Sequence, residues 1–348
     1  MPIIGCFPQG GGEPGATSGG KRICRYVVGS STAGWTAEEC DYLCDGTADE
    51  VEINAALAAL PAGGGEVHLL DGSYSLAGSV NVSGGAVKLT GCGKNTVLNG
   101  VLGTLVNLFE PSCTSFHLDE LSISITYDMP STILITKGIS LMNGTSAVEE
   151  FKMTGCEVDN LIDWYVKAPT TARFTMESCR STASAPPVVA NTSMNCESII
   201  RGCFFTHPIH LHTKSTVLGC SFDIPATVDD KAISVSAENT PCVIADNRID
   251  AAQGIEGYGR GVITGNRITL KGGSVLRHGI GCWSGDLADG NMILREDGSS
   301  AFGSKEHTIE VYEEAVSVSV LGNVLSDKDV TDNGTGTVKA NNVVLTTA

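Results

Sequence analysis

Residues 243–270 read VIADNRIDAAQGIEGYGRGVITGNRITL, and the two Asn-Arg-Ile steps inside them, at Asn247 and Asn266, belong to a unit that recurs along most of the chain. Later copies are DGNMI at Asn291 and LGNVL at Asn323, and earlier ones put cysteine in the same place: TGCEV at Cys156, ESCRS at Cys179, RGCFF at Cys203 and LGCSF at Cys220. Successive steps fall 23, 24, 17, 27, 19, 25 and 32 residues apart. A unit of that length, built of short β-branched strands without helical periodicity, cannot bury its apolar side alone and must stack on its neighbours. The expected fold is therefore all-β: a parallel β-helix, one step to each rung.

The bulk composition fits this. Glycine is abundant at 42 of 348 residues, aromatics make up 5% and charged residues 18%, which suits tight turns between short strands. A net charge of −17 argues against a nucleic-acid partner, because phosphate binding works through lysine and arginine displacing counterions. An anionic polysaccharide is repelled too, unless a cation or a basic patch intervenes. Apolar runs are far shorter than the roughly 20 residues that span a bilayer, so no membrane partner is expected. The start, MPIIGCFPQGGGEPG, has neither the basic end nor the apolar centre of a secretory signal, which makes a cytosol the expected site of synthesis.

The 13 cysteines are odd in number, and many occupy the repeated step. Cys92, Cys156, Cys179, Cys203, Cys220 and Cys242 are expected as small, reduced, stacked core residues. Cys24, Cys40 and Cys44 lie closer together, but a C-x3-C spacing without a paired histidine is poor support for zinc. No metal and no cofactor are expected.

Three segments follow. Residues 1–35 form an N-terminal arm; its first 20 residues hold seven glycines and three prolines, too little apolar mass for a core. A short strand is expected at ICRYVVG, residues 23–29, and residues 36–66 are read as short strand plus capping helix, the helix having capping-box spacing at Thr47 and Glu50 and a shared face of Val51, Ile53, Ala56, Leu57 and Leu60 up to Pro61. This amphipathic helix is expected to cap the open end of the first rung. Residues 67–348 form the solenoid, opening with the alternation Val67, Leu69, Tyr74, Leu76.

The segment DGTADEVEINAALAALPAGGGEVHLLDGSYSL, residues 45–76, resembles the N-terminal cap and first rung of the pectate-lyase-like single-stranded right-handed β-helix superfamily. With the later rungs the likeness covers residues 40 to 345. The signature is frequent in bacteriophage tailspikes and other virion proteins, and the glycine-rich arm resembles their attachment peptides. The resemblance implies a homotrimeric spike or fibre that docks to other virion proteins through residues 1–20 and presents the β-helix to host-surface polysaccharide. Two alternatives stand beside it: a depolymerase, lyase or glycosidase, and a purely structural capsid or tail decoration. The polygalacturonase motifs Asn-Thr-Asp, Asp-Asp, Gly-His-Gly and Arg-Ile-Lys do not occur in order, and RHGIG at Arg277 lacks the first glycine. Neither the arginine-centred lyase motif nor the tyrosine-to-histidine epimerase motif is found, so no catalytic residue carries over.

One further strand per rung aligns as LIDWYVKA, IHLHT, AISVS, GIEGYG, GIGCW and TIEVYE. Alternation points Ile209, Leu211, Ile233, Val235, Ile255, Ile280, Ile309 and Val311 inward. It points Asp163, Tyr165, Lys167, His210, His212, Glu256, Tyr258, Trp283, Glu310 and Tyr312 outward, and these are the candidate glycan-groove residues. Rings stack on pyranose faces while polar tips take hydroxyls, although a solvated β-face has the same look. Glu256 and Glu310, two rungs or roughly 10 Å apart, are the candidate catalytic acids, slightly beyond the ~6.5–9.5 Å of an inverting pair. His207, His210 and His212 raise the question of zinc, but a further ligand such as Glu256 lies too far for a tetrahedral shell. Arg248 and Arg267, in matching steps, are read as an outward ladder.

Overall fold

The computed structural model describes residues 24–103, 108–128, 148–159, 165–166, 173–182, 192–194, 197–211, 214–228, 230–235, 241–272, 278–296, 306–326 and 328–345. Strands stack in parallel into three faces, and each full rung contributes one strand to each. A rung of the later half runs from Cys242–Ala245 on the first face, round a turn to Arg248–Ala251 on the second, then to Gln253–Glu256 on the third. The next strand, Val262–Thr264, returns to the first face beside Cys242–Ala245. This is a right-handed parallel β-helix, as the repeat requires.

The repeated step is the turn between the first two faces. The residue before each cysteine or asparagine adopts left-handed backbone, from Gly155 (φ 61°) through Gly265 (φ 65°) to Gly322 (φ 62°), which explains the glycine. Asp246 (φ 55°) and Asn341 (φ 58°) take the same conformation, as short polar side chains tolerate it. The next side chain points into the core. Asn266 donates from its backbone N–H (3.1 Å) and from Nδ2 (2.9 Å) to Asn291 Oδ1, and from Nδ2 to the Ile244 carbonyl (2.9 Å). Asn247, Asn291 and Asn323 repeat the pattern, and Asn342 accepts at the far end. Each buried amide thus meets its hydrogen-bonding capacity across three rungs, which fixes register as well as removing an unpaired polar group.

The cysteine copies do less. The Cys156, Cys179 and Cys203 thiols each reach the carbonyl two residues back at 3.3–3.4 Å, and Cys220 links the two ladders by donating its N–H to Asn247 Oδ1 at 2.9 Å. All four are buried and unpaired by disulfides. Cys242 is buried as well, at the start of a first-face strand rather than in the step. Cys92 departs from expectation: it is exposed, because the long strand Val80–Gly103 turns it outward beside His68.

All eight residues assigned inward on the third face are buried. The core continues through stacked phenylalanines, Phe116–Phe151–Phe174 at 5.6 and 5.4 Å and Phe205–Phe222 at 5.0 Å. Parallel rungs put like residues above one another at about 4.8 Å, close to ring-stacking distance. Arg248 and Arg267 pair in register, exposed on the second face.

At the N-terminal end the strand Arg25–Ser30, within the span read as the arm, pairs with Gly64–Leu69; residues 1–23 lie outside the described residues. The helix Glu50–Ala58 buries Ile53, Ala56 and Leu57. Two details of its expected design fail. Val51 is exposed at 60% rather than on the buried face. The Thr47–Glu50 box does not form, because neighbouring backbone claims the carboxylates: Asp49 accepts from Gly46 N and Ser75 N, and Glu50 from Ala77 N. The acids tie the helix to the solenoid instead of closing its first turn.

Candidate glycan-binding face

The described outward candidates collect on the third face, whose strands run in the order Tyr165–Val166, Thr192–Met194, Ile209–Leu211, Lys231–Val235, Gln253–Glu256, His278–Cys282, His307–Val311, Thr331–Asp332. Register there is set by the buried isoleucines: Ile209, Ile233, Ile255, Ile280 and Ile309 stack in one column. The next residue outward then forms a second column, His210, Ser234, Glu256, Gly281, Glu310, Thr331. Large polar groups alternate with small ones. A third column, Lys231, Gln253, His278 and His307, flanks it.

The small positions let the large ones meet. Tyr312 leans back over Gly281 and donates its hydroxyl to Glu256 Oε1 at 3.1 Å. A Cβ on Gly281 would sit 2.5 Å from that hydroxyl, so glycine is what allows the bridge across two rungs. Lys231 Nζ holds the other oxygen of Glu256 at 2.9 Å. Burial, then the Glu256 charge, pushes the Tyr312 phenol above its ordinary range, so it stays a donor. Tyr258, Trp283 and Tyr312 line the edge of the strip, with successive ring centroids 5.0 and 4.8 Å apart. The indole N–H of Trp283 has no acceptor among the described residues.

One step further along, His278 Nε2 lies 2.8 Å and His307 Nε2 3.8 Å from Glu310 Oε2. His307 Nδ1 is 2.9 Å from Thr331 Oγ1, and Asn333 Nδ2 donates to Glu310 Oε1 at 3.3 Å. Burial draws both histidines below their usual value, against the pull of Glu310. At the other end of the strip His210 Nε2 sits 3.1 Å from Asp230 Oδ2. Beneath the loop after Trp283, Asp286 is buried and accepts from Gly261 N and Trp283 N at 2.7 Å; burial still raises it to about 6. It anchors the loops of two rungs.

Of the ten outward candidates, the structure brings Glu256 to Tyr312 and stacks Tyr258, Trp283 and Tyr312, while Glu310 and His210 find other partners. Tyr165 lies on the same face, in register with Ser193. Asp163, Lys167 and His212 lie outside the described residues. His207 is a core histidine, buried between Ser181 Oγ (2.8 Å) and the Pro208 carbonyl (3.0 Å). Sequence reasoning missed Lys231, His278, His307 and Asp230. The signal for the two histidines was present: HGIGCW at 278–283 and HTIEVY at 307–312 align residue for residue. A second three-residue cluster, Cys44, Asp49 and Glu52, has its Asp49 oxygens committed to backbone amides.

No protein-family model matches the sequence, and no curated protein matches it. Solved structures do match in shape. The A-module of mannuronan C-5 epimerase AlgE6 from Azotobacter vinelandii superposes with a TM-score of 0.51 at 14% identity, covering 86% of this chain and 96% of that one. The tailspike protein of E. coli bacteriophage HK620, solved as a mutant in complex with pentasaccharide, gives 0.57 at 13% identity over 85% of this chain. The match spans 63% of that tailspike's length. The chain therefore shares the right-handed parallel β-helix fold of these structures.

Proposed function

We propose that this protein is a glycan-binding β-helix whose third face, from His210 to Tyr312, is the binding strip. One observation carries the reading: carboxylates and aromatic rings converge on a single outward strip, each carboxylate already oriented by a neighbour. Glu256 is fixed by Lys231 and Tyr312, and Glu310 by His278 and Asn333. Preset acceptors beside partly buried rings suit hydroxyl-rich ligands, because little side-chain freedom is lost on binding. The net charge of −17 favours a neutral glycan over an acidic one.

The biological setting that fits is a bacteriophage spike or fibre. The glycine-rich residues 1–20 supply the virion attachment, the assembly is a homotrimer, and the glycan belongs to the host surface. The composition of the arm and the shape shared with a phage tailspike support this. Titration of Trp283 fluorescence with host-surface oligosaccharides tests the strip. Saturable quenching that vanishes in Glu256→Gln is expected. Binding equally strong in Glu256→Gln would place the ligand elsewhere.

Catalysis is the second reading, favoured by the Glu256–Lys231–Tyr312 cluster, in which a carboxylate, an ammonium and a phenol share one point. New reducing or unsaturated ends released by wild type, and not by Glu256→Gln, would establish a depolymerase.

A further inference from the structure

We propose that His278, His307 and Glu310 form a binding site for a divalent transition-metal ion, zinc above all. The histidines weighed for zinc from the sequence are His207, His210 and His212. Of these, His207 is locked in the core and His210 lies beside Asp230, while His278 and His307 converge three and four strands further on.

One ligand atom from each of the three residues lies within 4.8 Å of the other two, and Glu310 Oε2 faces Nε2 of both histidines. Zinc bonds nitrogen and oxygen at roughly 2.0–2.2 Å in a tetrahedral shell, which sets its donors about 3.3–3.4 Å apart. The distances from Glu310 Oε2, 2.8 Å to His278 and 3.8 Å to His307, straddle that spacing, so small ring rotations complete the shell. Rigid strands in register hold the donors: His278 pairs with His307, and Glu310 lies three residues along the same strand.

The outer partners are those a metal site needs. Thr331 Oγ1 lies 2.9 Å from His307 Nδ1, so that nitrogen can keep its proton and leave the Nε2 lone pair free. Asn333 Nδ2 occupies the second oxygen of Glu310, leaving Oε2 as the ligand. Two imidazoles in three ligands select a borderline ion such as zinc over calcium or magnesium, which prefer oxygen. Three protein ligands leave a fourth position for water or an incoming oxygen, unlike a closed structural site.

The site shares Glu310 with the proposed glycan strip, but its test contains no sugar, so failure of one reading leaves the other standing. Full-length protein, stripped with chelator and dialysed, is titrated with zinc chloride by calorimetry and with cobalt chloride by visible absorption. One ion per chain is expected, with the intense d–d bands of four- or five-coordinate cobalt. His278→Gln and His307→Gln should each weaken binding about 100-fold or more, beyond the roughly tenfold expected of Thr331→Val, which removes only an outer partner. His117→Gln, on the first face, should leave zinc affinity unchanged. Protection of His278 and His307 of the unaltered protein from diethyl pyrocarbonate by zinc gives a reading that needs no variant to fold. Absence of saturable zinc binding, or affinity unchanged in the double variant His278→Gln/His307→Gln, would overturn the proposal.

Discussion

The first and third faces of this solenoid are both outward β-surfaces dense in charge, yet they use charge differently. On the first face Lys152–Glu177, Arg201–Glu177 and Lys214–Glu197 bridge neighbouring rungs, with Lys214 63% and Glu197 37% exposed. Ion pairs that open to water contribute about 0–1 kcal/mol each and fade with salt. On the third face His278 and Glu310 are each 15% exposed and pair with one another across rungs, and Glu256 takes the Tyr312 hydroxyl from two rungs away. The first face carries its charge in water-exposed ion pairs; the third holds it in partly buried contacts between rungs. Charge count alone would not separate them, whereas burial and partners do.

The largest way to break the contrast is to break the third face itself. A Cβ on Gly279 would overlap the carbonyl oxygen of Thr308 on the next strand, where backbone has no room to yield. Gly279→Ala should cost about 3 kcal/mol by urea denaturation, the upper end of overpacking penalties. A loss below about 1 kcal/mol would show that the rungs there are not closely apposed.

Acid should come next. Burial draws His207 and His117, and His278 and His307 as well, below the ordinary histidine value of about 6.5. A depressed histidine takes up protons more readily in the unfolded chain, so its contribution is complete above about pH 6.5 and is lost as pH falls through the folded value. The histidines pull the thermal midpoint down between pH 7 and pH 5, against Asp286, whose raised carboxyl takes up its proton more readily in the folded chain, and His207→Phe should make the midpoint less sensitive to acid. An acid dependence as steep in His207→Phe as in wild type would contradict the burial of that ring.

The smallest effect belongs to the first face. Lys152→Ala removes a 2.9 Å ion pair with Glu177, yet should change stability by less than about 0.5 kcal/mol and glycan binding not at all. A larger loss would give the first-face ladder a role beyond solvation.

These contrasts also mark what could be read from the chain. The turn step was readable because left-handed backbone demands glycine or a short polar residue, and the following side chain must be small or self-satisfying. The isoleucine column was readable because a one-residue slip would turn every apolar side chain outward. The register of Glu256 and Glu310, two rungs apart with Gly281 between, followed from it. What alternation could not supply was lateral contact. Tyr312 leaning across Gly281, Lys231 reaching diagonally to Glu256, and the pairing of His278 with Glu310 depend on side-chain directions between rungs. The capping box at Thr47 failed for a related reason, since Asp49 and Glu50 found better donors in distant backbone.

The most direct measurement compares the two faces in one experiment. Wild type, Glu256→Gln/Glu310→Gln on the third face and Glu177→Gln/Glu197→Gln on the first are each titrated with host-surface oligosaccharide, with folding checked by circular dichroism. Loss of binding by tenfold or more, about 1.4 kcal/mol, in the third-face variant alone is the expected result. Equal loss in both variants, or loss in the first-face variant alone, would contradict the assignment of function to the third face.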